Sequence, residues 1–282
     1  MRNLANEFTC CSINTATLGF QAPISNIVEA VAKAGFKKLA PWRREVEGND
    51  VKALARQIRE AGLTLSGYCR STYIPSETVA GFNTSIQSNK RALDDAATLG
   101  APVFVMVVGS LPPNSRNLAA ARKQVAEGIA ELLDYGRSVG VRIGLEPLHP
   151  VYAADRSCLT LISEALDMCD AVEGNVSTPS LGVVIDCYHV WWDPYLQSAI
   201  KRAGNRILGL HVCDWLRETK DVLNDRGMMG DGVIDIQSIR RQVEAAGYAG
   251  AVEVEIFSAA NWWQRPMHET LAICHERLCS VC

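Results

Sequence analysis

Four apolar segments in the second half of the chain each lead to an acidic residue or a histidine. Glu146 follows VRIGL, Asp186 follows LGVVI, and His211 follows ILGL. The fourth segment, AVEVEIF, offers Glu253 and Glu255, which have the same strand parity, so that side-chain alternation does not separate them. One such residue alone is more often a solvated or hydrogen-bonded side chain. Four together indicate a shared divalent cation, because a buried carboxylate without a partner is costly.

These candidate ligands form a set that is rich in oxygen and contains no thiolate. Three carboxylates and one imidazole suit Mn²⁺ first, with Mg²⁺, Co²⁺ or Zn²⁺ as alternatives. A divalent metal in this setting can act as a Lewis acid toward a neutral hydroxy-ketone. The sequence therefore predicts a metal-dependent enzyme that acts on a small molecule with a carbonyl group.

The four segments belong to a longer alternation of apolar runs and amphipathic stretches. The runs predict eight strands, and the stretches between them predict helices. Several helical stretches end in glycine just before the next run, and Asp235 is the predicted N-cap of DIQSIRRQ. The predicted strands are FTCCSIN, FKKLAPW, LTLSGYC, PVFVMVV, VRIGLEP, LGVVIDC, ILGLHVC and AVEVEIF.

Eight β/α units in 282 residues predict an α/β protein with a single (β/α)8 TIM barrel, one domain over residues 1–282. A doubly wound sheet is the alternative, but no GxGxxG turn follows the first strand. In a TIM barrel the active site lies at the C-terminal ends of the strands. The candidate metal ligands stand at those ends.

Composition narrows the classes of partner. The net charge of −3 and the lack of a Lys/Arg-rich run argue against nucleic-acid binding. No run approaches the roughly 18 apolar residues of a membrane span, and the N-terminus has no signal-peptide pattern. We therefore expect a cytoplasmic enzyme whose ten cysteines are reduced.

Five segments, GLEPLHP, VVIDCYHVWWDP, LGLHVCDW, RGMMGDGVID and VEVEIF, carry a family resemblance. Their order resembles the motif blocks of the xylose-isomerase-like sugar (phosphate) isomerase/epimerase superfamily, whose fold is a TIM barrel. The resemblance selects Glu255 rather than Glu253, because the family places its final Glu immediately before an apolar–aromatic pair, here Ile256 and Phe257. It implies four metal ligands: Glu146, Asp186, His211 and Glu255.

The same resemblance implies two substrate contacts. In ketose 3-epimerases of this superfamily an Arg stands six positions after the ligand His, and Arg217 keeps that spacing. A His three positions after the ligand Asp also contacts substrate, and His189 matches it. Tyr152 stands where those epimerases have a second acid, which departs from ordinary ketose 3-epimerisation.

Further residues beyond the strand ends are expected near the substrate. Trp215 follows the seventh strand and His149 follows the fifth. Aromatic faces suit the apolar C–H face of a sugar. The tryptophans beyond the strand ends could instead pack loops onto the barrel or form a subunit contact. A homo-oligomer is therefore one possible state of the protein. The sequence also leaves open whether the carbohydrate substrate is phosphorylated.

The leading functional hypothesis is an isomerase or epimerase of a keto-sugar or related polyhydroxy-ketone. Glu146 and Glu255 would exchange the proton of a carbon beside the carbonyl through a metal-stabilised enediolate. The alternative is a lyase or dehydratase of a keto-sugar, keto-inositol or 3-keto-glycoside that uses the same first step. A zinc endonuclease of the same superfamily is disfavoured, because this chain lacks the additional histidines of that branch. A sugar sensor is disfavoured because it would not need two candidate bases.

Overall fold

The computed structural model describes residues 1–20 and 22–282, and parallel strands form its centre. Nine strands occur in this part of the chain: β1 (Cys11–Asn14), β2 (Lys38–Ala40), β3 (Thr64–Leu65), β4 (Tyr68–Cys69), β5 (Val103–Met106), β6 (Arg142–Leu145), β7 (Leu181–Asp186), β8 (Ile207–Val212) and β9 (Val252–Val254). They pair in the order β3-β2-β1-β9-β8-β7-β6-β5-β4. Every pair is parallel, and β1 pairs with both β2 and β9.

The third barrel strand consists of two pieces. β3 pairs with β2 and β4 pairs with β5, and only Ser66 and Gly67 separate the two pieces. A parallel bridge between Trp42 and Cys69 also links the chain after β2 to β4. The nine strands therefore occupy the eight positions of a TIM barrel, which confirms the predicted fold class. The prediction of LTLSGYC as one continuous strand is wrong, because its pairing changes partner in the middle.

Helices lie between the strands, and the longer ones cover the outside of the barrel. Their bounds are α1 (Ile24–Lys33), α2 (Arg43–Val46), α3 (Val51–Glu60), α4 (Val79–Leu99), α5 (Leu118–Val139), α6 (Ile162–Glu173), α7 (Cys187–Val190), α8 (Leu196–Ala203), α9 (Ile236–Ala245) and α10 (Met267–Ser280). The short helices α2 and α7 instead carry residues that line a cavity. Within the described residues, no helix is both long and apolar enough to cross a membrane.

Local sequence explains where these helices lie and end. In α1 the buried residues Ile24, Ile27, Val28 and Val31 recur at helical spacing and face the barrel. The Asp235 carboxylate accepts a hydrogen bond from the backbone N–H of Ser238 at 2.9 Å, which confirms the predicted N-cap of α9. α4 and α5 each end in a glycine with positive φ, a backbone conformation that favours glycine.

Strand alternation brings the candidate ligands to one end of the barrel. Side chains two residues apart on a strand share a face, and the inward face of a barrel strand points into its interior. Asp186 and His211 are register partners on β7 and β8. Glu146 directly follows β6, and Glu255 directly follows β9. All four side chains are thereby placed at the C-terminal ends of adjacent strands.

Candidate active site

The candidate ligands Glu146, Asp186, His211 and Glu255 form one buried cluster. Each offers one ligand atom, and these atoms all lie within 4.8 Å of one another. His211 Nδ1 lies 2.9 Å from Glu146 Oε1 and 3.6 Å from Glu255 Oε2. The structure thus brings together the four side chains that the sequence singled out.

The contacts within this cluster fit a divalent cation. Glu146 Oε1 and His211 Nδ1 are buried, and neither has a hydrogen-bond partner among the described residues although they lie 2.9 Å apart. Buried polar atoms normally have a hydrogen-bond partner. Two unpartnered atoms that face each other therefore indicate a site for a bound ligand. A cation bound to both would satisfy them, and three carboxylates with one imidazole are suitable ligands for it.

Protonation in the cluster reflects the crowding of negative charge. Burial raises the pKa of Asp186 to about 7, although the nearby Arg226 guanidinium lowers it. Burial lowers the pKa of His211, but the carboxylates of Glu253, Glu146 and Glu255 outweigh burial and hold this pKa well above its usual range. Without a metal the cluster therefore retains protons that a divalent cation would displace on binding.

Glu253 lies on the opposite side of the His211 ring. Its Oε1 lies 3.3 Å from His211 Nε2 and accepts a hydrogen bond from Asn14 Nδ2 at 2.8 Å. Its Oε2 accepts a 2.6 Å hydrogen bond from Ser66 Oγ. The two acids that the sequence did not separate therefore have different positions: Glu255 lies in the four-residue cluster, and Glu253 contacts the far nitrogen of the histidine.

His189 is buried in α7 beside the cluster and lines the cavity above it. Its Nδ1 faces the His149 backbone N–H at 3.2 Å and its Nε2 faces Arg226 Nη2 at 3.3 Å, so that two donors point at a neutral ring with one acceptor nitrogen. Nε2 lies 3.6 Å from Asp186 Oδ2. Burial, together with the charge of Arg226, lowers the pKa of His189 well below its usual value. The ring is therefore neutral beside the cluster.

Arg217 does not lie in the cavity, contrary to expectation. Its side chain is exposed, and it is absent from the cavity lining. After β8 the backbone groups of Asp214 and Gly227 form two mutual hydrogen bonds of 2.9 Å, which close the intervening segment into a loop. The buried arginine at the site is Arg226, whose Nη1 lies 3.0 Å from Asp186 Oδ2 and 3.5 Å from Glu255 Oε2.

His149 and Trp215, both expected near the substrate, pack against aromatic rings outside the cavity lining. Trp215 stacks on Tyr188 with 4.7 Å between ring centroids, and the His149 ring lies 5.0 Å from Trp215. The His149 Nδ1 atom accepts a hydrogen bond from the Val151 backbone N–H. These side chains support the loops around the mouth, because stacking against each other covers their faces.

The cavity above the cluster has a volume of about 600 Å³. Glu146, Glu255, His189 and Arg226 form its floor. Five aromatic residues line its wall: Phe20, Trp42, Tyr152, Phe257 and Trp263. Its rim carries Arg43, Arg44, Arg70 and Arg156. The sequence did not predict the contacts of Arg226 with Asp186 and Glu255, nor that Arg43, Arg44 and Arg70 line the cavity. Adjacent arginines after the second strand were a signal for the rim, whereas nothing in local periodicity marked Arg226.

Comparison with known proteins gives relatives along most of the chain. A family model described as xylose isomerase-like TIM barrel matches residues 28–272. A protein of Sinorhizobium meliloti 1021 with a solved structure is 49% identical, with 97% of this chain and 98% of that chain covered and a TM-score of 0.93. The zinc-bound structure of an IolI protein has a TM-score of 0.82 at 19% identity, covering 96% of this chain and 97% of that chain.

Two relatives of known activity are more distant. An inosose isomerase of Halalkalibacterium halodurans is 24% identical over 182 residues, which cover 63% of this chain and 61% of the relative. A ketose 3-epimerase of Arthrobacter globiformis is 24% identical over 247 residues, which cover 83% of this chain and 77% of the relative. With the family model matching most of its length, the chain belongs to the xylose isomerase-like TIM barrel family.

Proposed function

We propose that the protein is a divalent-metal-dependent isomerase or epimerase of a ketose, an inosose or a related polyhydroxy-ketone. The observation that carries this proposal is the four-residue cluster, which lies at the floor of a cavity of about 600 Å³. The names of the two relatives, an inosose isomerase and a ketose 3-epimerase, support the same reaction class. The relatives do not support the lyase alternative.

The residues that would hold the metal are Glu146, Asp186, His211 through Nδ1, and Glu255. When bound there, a divalent metal would supply Lewis-acid polarisation of a substrate carbonyl. We propose Mn²⁺ because oxygen ligands predominate in this set. Zn²⁺ is the ion bound in the IolI structure and is the first alternative to test.

Proton transfer is assigned to Glu146 and Glu255. Both carboxylates line the cavity, whereas Asp186 lies beneath its surface and contacts Arg226. Glu146 follows β6 and Glu255 follows β9, so they would reach a substrate from different sides of the barrel. One carboxylate would remove the proton from the carbon beside the carbonyl, and the other would return it on the opposite side.

His189 and the aromatic wall would orient the substrate and exclude water. The His189 ring is neutral and lines the cavity, where it would hydrogen-bond a substrate hydroxyl group. The ring centroids of Trp42 and Phe257 lie 5.3 Å apart at the wall. These rings would offer apolar surface to the carbon chain of a sugar. Water excluded by this wall cannot compete for the reactive carbon.

Deuterium exchange tests the proposal directly. Protein loaded separately with Mn²⁺, Zn²⁺, Mg²⁺ or Co²⁺ is incubated in D₂O with D-fructose or an inosose, and the product is examined by mass spectrometry. We expect deuterium at the carbon beside the carbonyl and no loss of water from the product. Glu255→Gln, at saturating metal, should slow this exchange about 10²–10⁴-fold, the usual contribution of a general base.

The exposed Glu269→Gln variant on α10 is the matched control and should exchange at the normal rate. Exchange retained by metal-loaded Glu255→Gln would assign the base to Glu146 instead. Loss of water would indicate the lyase reaction. No exchange of any ketone with any of the four metals would overturn the proposal.

A further inference from the structure

The rim of the cavity differs in charge from its floor. The lining residues include four rim arginines, Arg43, Arg44, Arg70 and Arg156, against one rim carboxylate, Glu47. Glu47 is matched to one of them, since its Oε1 accepts from Arg43 Nε at 2.6 Å. Among the lining residues that the structure describes, three rim guanidiniums are therefore left without a lining carboxylate.

Arg43 is held in place by its neighbours. Besides Glu47, its guanidinium donates to Thr72 Oγ1 and to Ser88 Oγ, both at 2.9 Å. These contacts use three of its five N–H donors, and Glu47 balances its charge. Arg43 therefore supports the rim and offers little to a ligand.

Arg44 and Arg70 are positioned by aromatic rings. The Arg70 guanidinium lies 5.0 Å from the ring centre of Tyr73 and 5.8 Å from that of Trp42. The Arg44 guanidinium lies 3.0 Å above the ring of Phe20. In the described part of the chain, neither guanidinium has a carboxylate at ion-pair distance. Stacking orders a guanidinium without using its N–H groups, which stay available to an anion.

The charges of Arg44 and Arg70 also act on each other. Burial lowers the pKa of Arg44, Glu45 opposes this shift, and the positive charge of Arg70 lowers the pKa further. Two guanidiniums that repel each other beside a cavity are stabilised by a shared anion. Arg156 adds a third charge at the rim, with Asp155 3.8 Å away.

The carboxylates of the cavity floor would not serve as the anion for Arg44 and Arg70 once a divalent metal is bound. These three carboxylates, Glu146, Asp186 and Glu255, would be balanced by a divalent metal together with Arg226. The excess positive charge of the cavity then lies at the rim. A cavity with apolar walls focuses such a field on its ligand.

We propose that the substrate is an anionic polyhydroxy-ketone whose terminal carboxylate or phosphate binds Arg44 and Arg70 while its carbonyl end lies at the floor. This inference rests on the proposed function and adds the charge of the substrate. A neutral sugar would leave both guanidiniums unmatched. Carboxylates and phosphates are the groups that a guanidinium binds with two parallel hydrogen bonds.

The test compares three ketones that differ in one terminal group: D-fructose, D-fructose 6-phosphate and D-fructuronate. Their binding to the chelator-treated protein is measured by calorimetry, and their deuterium exchange is measured with the metal-loaded protein. We expect at least one anionic ketone to bind about tenfold or more tightly than D-fructose, since hydrogen bonds to charged groups are strong. Preference for the phosphate or for the carboxylate identifies the natural anion.

Arg70→Ala should reduce the preference for the anionic ketone over D-fructose about tenfold, and the charge-retaining Arg70→Lys should keep part of that preference. Arg59→Ala, an exposed arginine of α3 outside the cavity, should keep it all. Equal binding of the three ketones, or a preference that survives Arg44→Ala/Arg70→Ala, would overturn the inference. Exchange of D-fructose in that case would leave the proposed function standing. Anion preference without exchange of any ketone would support the anion site and contradict the proposed function.

Discussion

At the scale of single residues, the site depends on which groups share buried charge. Asp186 and Glu255 both contact the Arg226 guanidinium, while Glu146 and His211 face each other without a hydrogen bond. A buried charge is tolerated only when it is paired, so Arg226 stabilises the cluster before any metal binds. Arg217, the arginine that the family resemblance implied, is exposed and lies outside the cavity lining.

Replacement of Arg226 by alanine should therefore be far more costly than replacement of Arg217. In chelator at pH 8, where Asp186 is ionised, we expect Arg226→Ala to lower the free energy of unfolding by about 3–5 kcal/mol, because it leaves a buried carboxylate unpaired. Arg217→Ala should change it by no more than about 0.5 kcal/mol. Urea unfolding of both variants measures the difference. Equal effects would contradict the assignment of Arg226.

Glu253 should set the tautomer of His211. Its carboxylate faces Nε2, so that a proton on Nε2 leaves Nδ1 free toward Glu146 and Glu255. Outer partners of this kind typically contribute 10–100-fold to metal affinity. We expect Glu253→Gln to weaken Mn²⁺ binding by about that factor in a chelator-competition titration.

The control for Glu253→Gln is Glu60→Gln, an exposed residue of α3, which should bind Mn²⁺ as the parent protein does. Circular dichroism checks that both variants are folded. An unchanged Mn²⁺ dissociation constant in folded Glu253→Gln would show that the His211 tautomer does not depend on Glu253.

At the scale of elements, one loop decides which arginine reaches the cavity. The Asp214 carboxylate, just after β8, accepts four backbone N–H hydrogen bonds of 2.9 Å, from Trp215, Gly230, Gly232 and Ile234. It thereby ties the start of the β8–α9 loop to its end. Arg226 lies within this loop, so its position depends on that single buried carboxylate.

Asp214→Asn should loosen the whole β8–α9 loop. The asparagine amide keeps one acceptor oxygen and turns an NH₂ group toward N–H donors, so about two hydrogen bonds to a charged group are lost. We expect the free energy of unfolding to fall by about 2–4 kcal/mol. Amide hydrogen exchange of residues 215–234 should become faster.

The matched control is Asp221→Asn in the same loop, because the Asp221 side chain is exposed and caps only the local turn to Leu223 and Asn224. Its effect on exchange should be limited to that turn. Exchange that stays slow throughout residues 215–234 in Asp214→Asn would refute the anchoring role of Asp214.

The same loop shows how far the sequence could predict the site. Short apolar runs placed Glu146, Asp186 and His211 at strand ends, because such runs are a local signal of a buried strand. The conformation of the β8–α9 loop depends on hydrogen bonds between residues 16 to 20 positions apart. Periodicity does not register such contacts. The family resemblance, with its fixed spacing after the ligand His, pointed to Arg217 instead. The split of the third strand at Ser66 and Gly67 was missed for a similar reason. The residues of a strand do not show which neighbouring strand each part pairs with.

At the scale of the whole molecule, the barrel needs its ends held as well as its interior filled. All eight barrel strands were predicted because each apolar run stands between helical patterns with caps, such as Asp235 before α9. Buried polar groups outside the site were not predicted. Arg240 is an example, buried in α9 and donating to the Cys282 carbonyl near the C-terminus. Such contacts join distant parts of the chain and leave no periodic pattern.

Glu173, the last residue of α6, should be a main support of the barrel end opposite the cavity. Its buried carboxylate accepts from the backbone N–H groups of Ser180 and Leu181 and from the guanidiniums of Arg206 and Arg137. It thus connects α5, α6, the start of β7 and the segment before β8. Burial raises the pKa of Glu173, but these hydrogen bonds outweigh burial and hold it below its usual value.

Glu173→Gln should lower the free energy of unfolding at pH 7 by about 2–4 kcal/mol, because the charge and one acceptor are lost. A carboxyl group whose pKa is lower in the folded state stabilises the protein above its unfolded pKa and loses that effect as pH falls through its folded pKa. The difference between parent and variant should therefore stay constant down to about pH 5 and narrow below it. Urea unfolding between pH 7 and 4 measures this, with the solvent-facing Glu127→Gln of α5 as the control expected to stay within about 0.5 kcal/mol. A difference that widened on acidification, or that matched the control at pH 7, would show that Glu173 does not hold this end of the barrel.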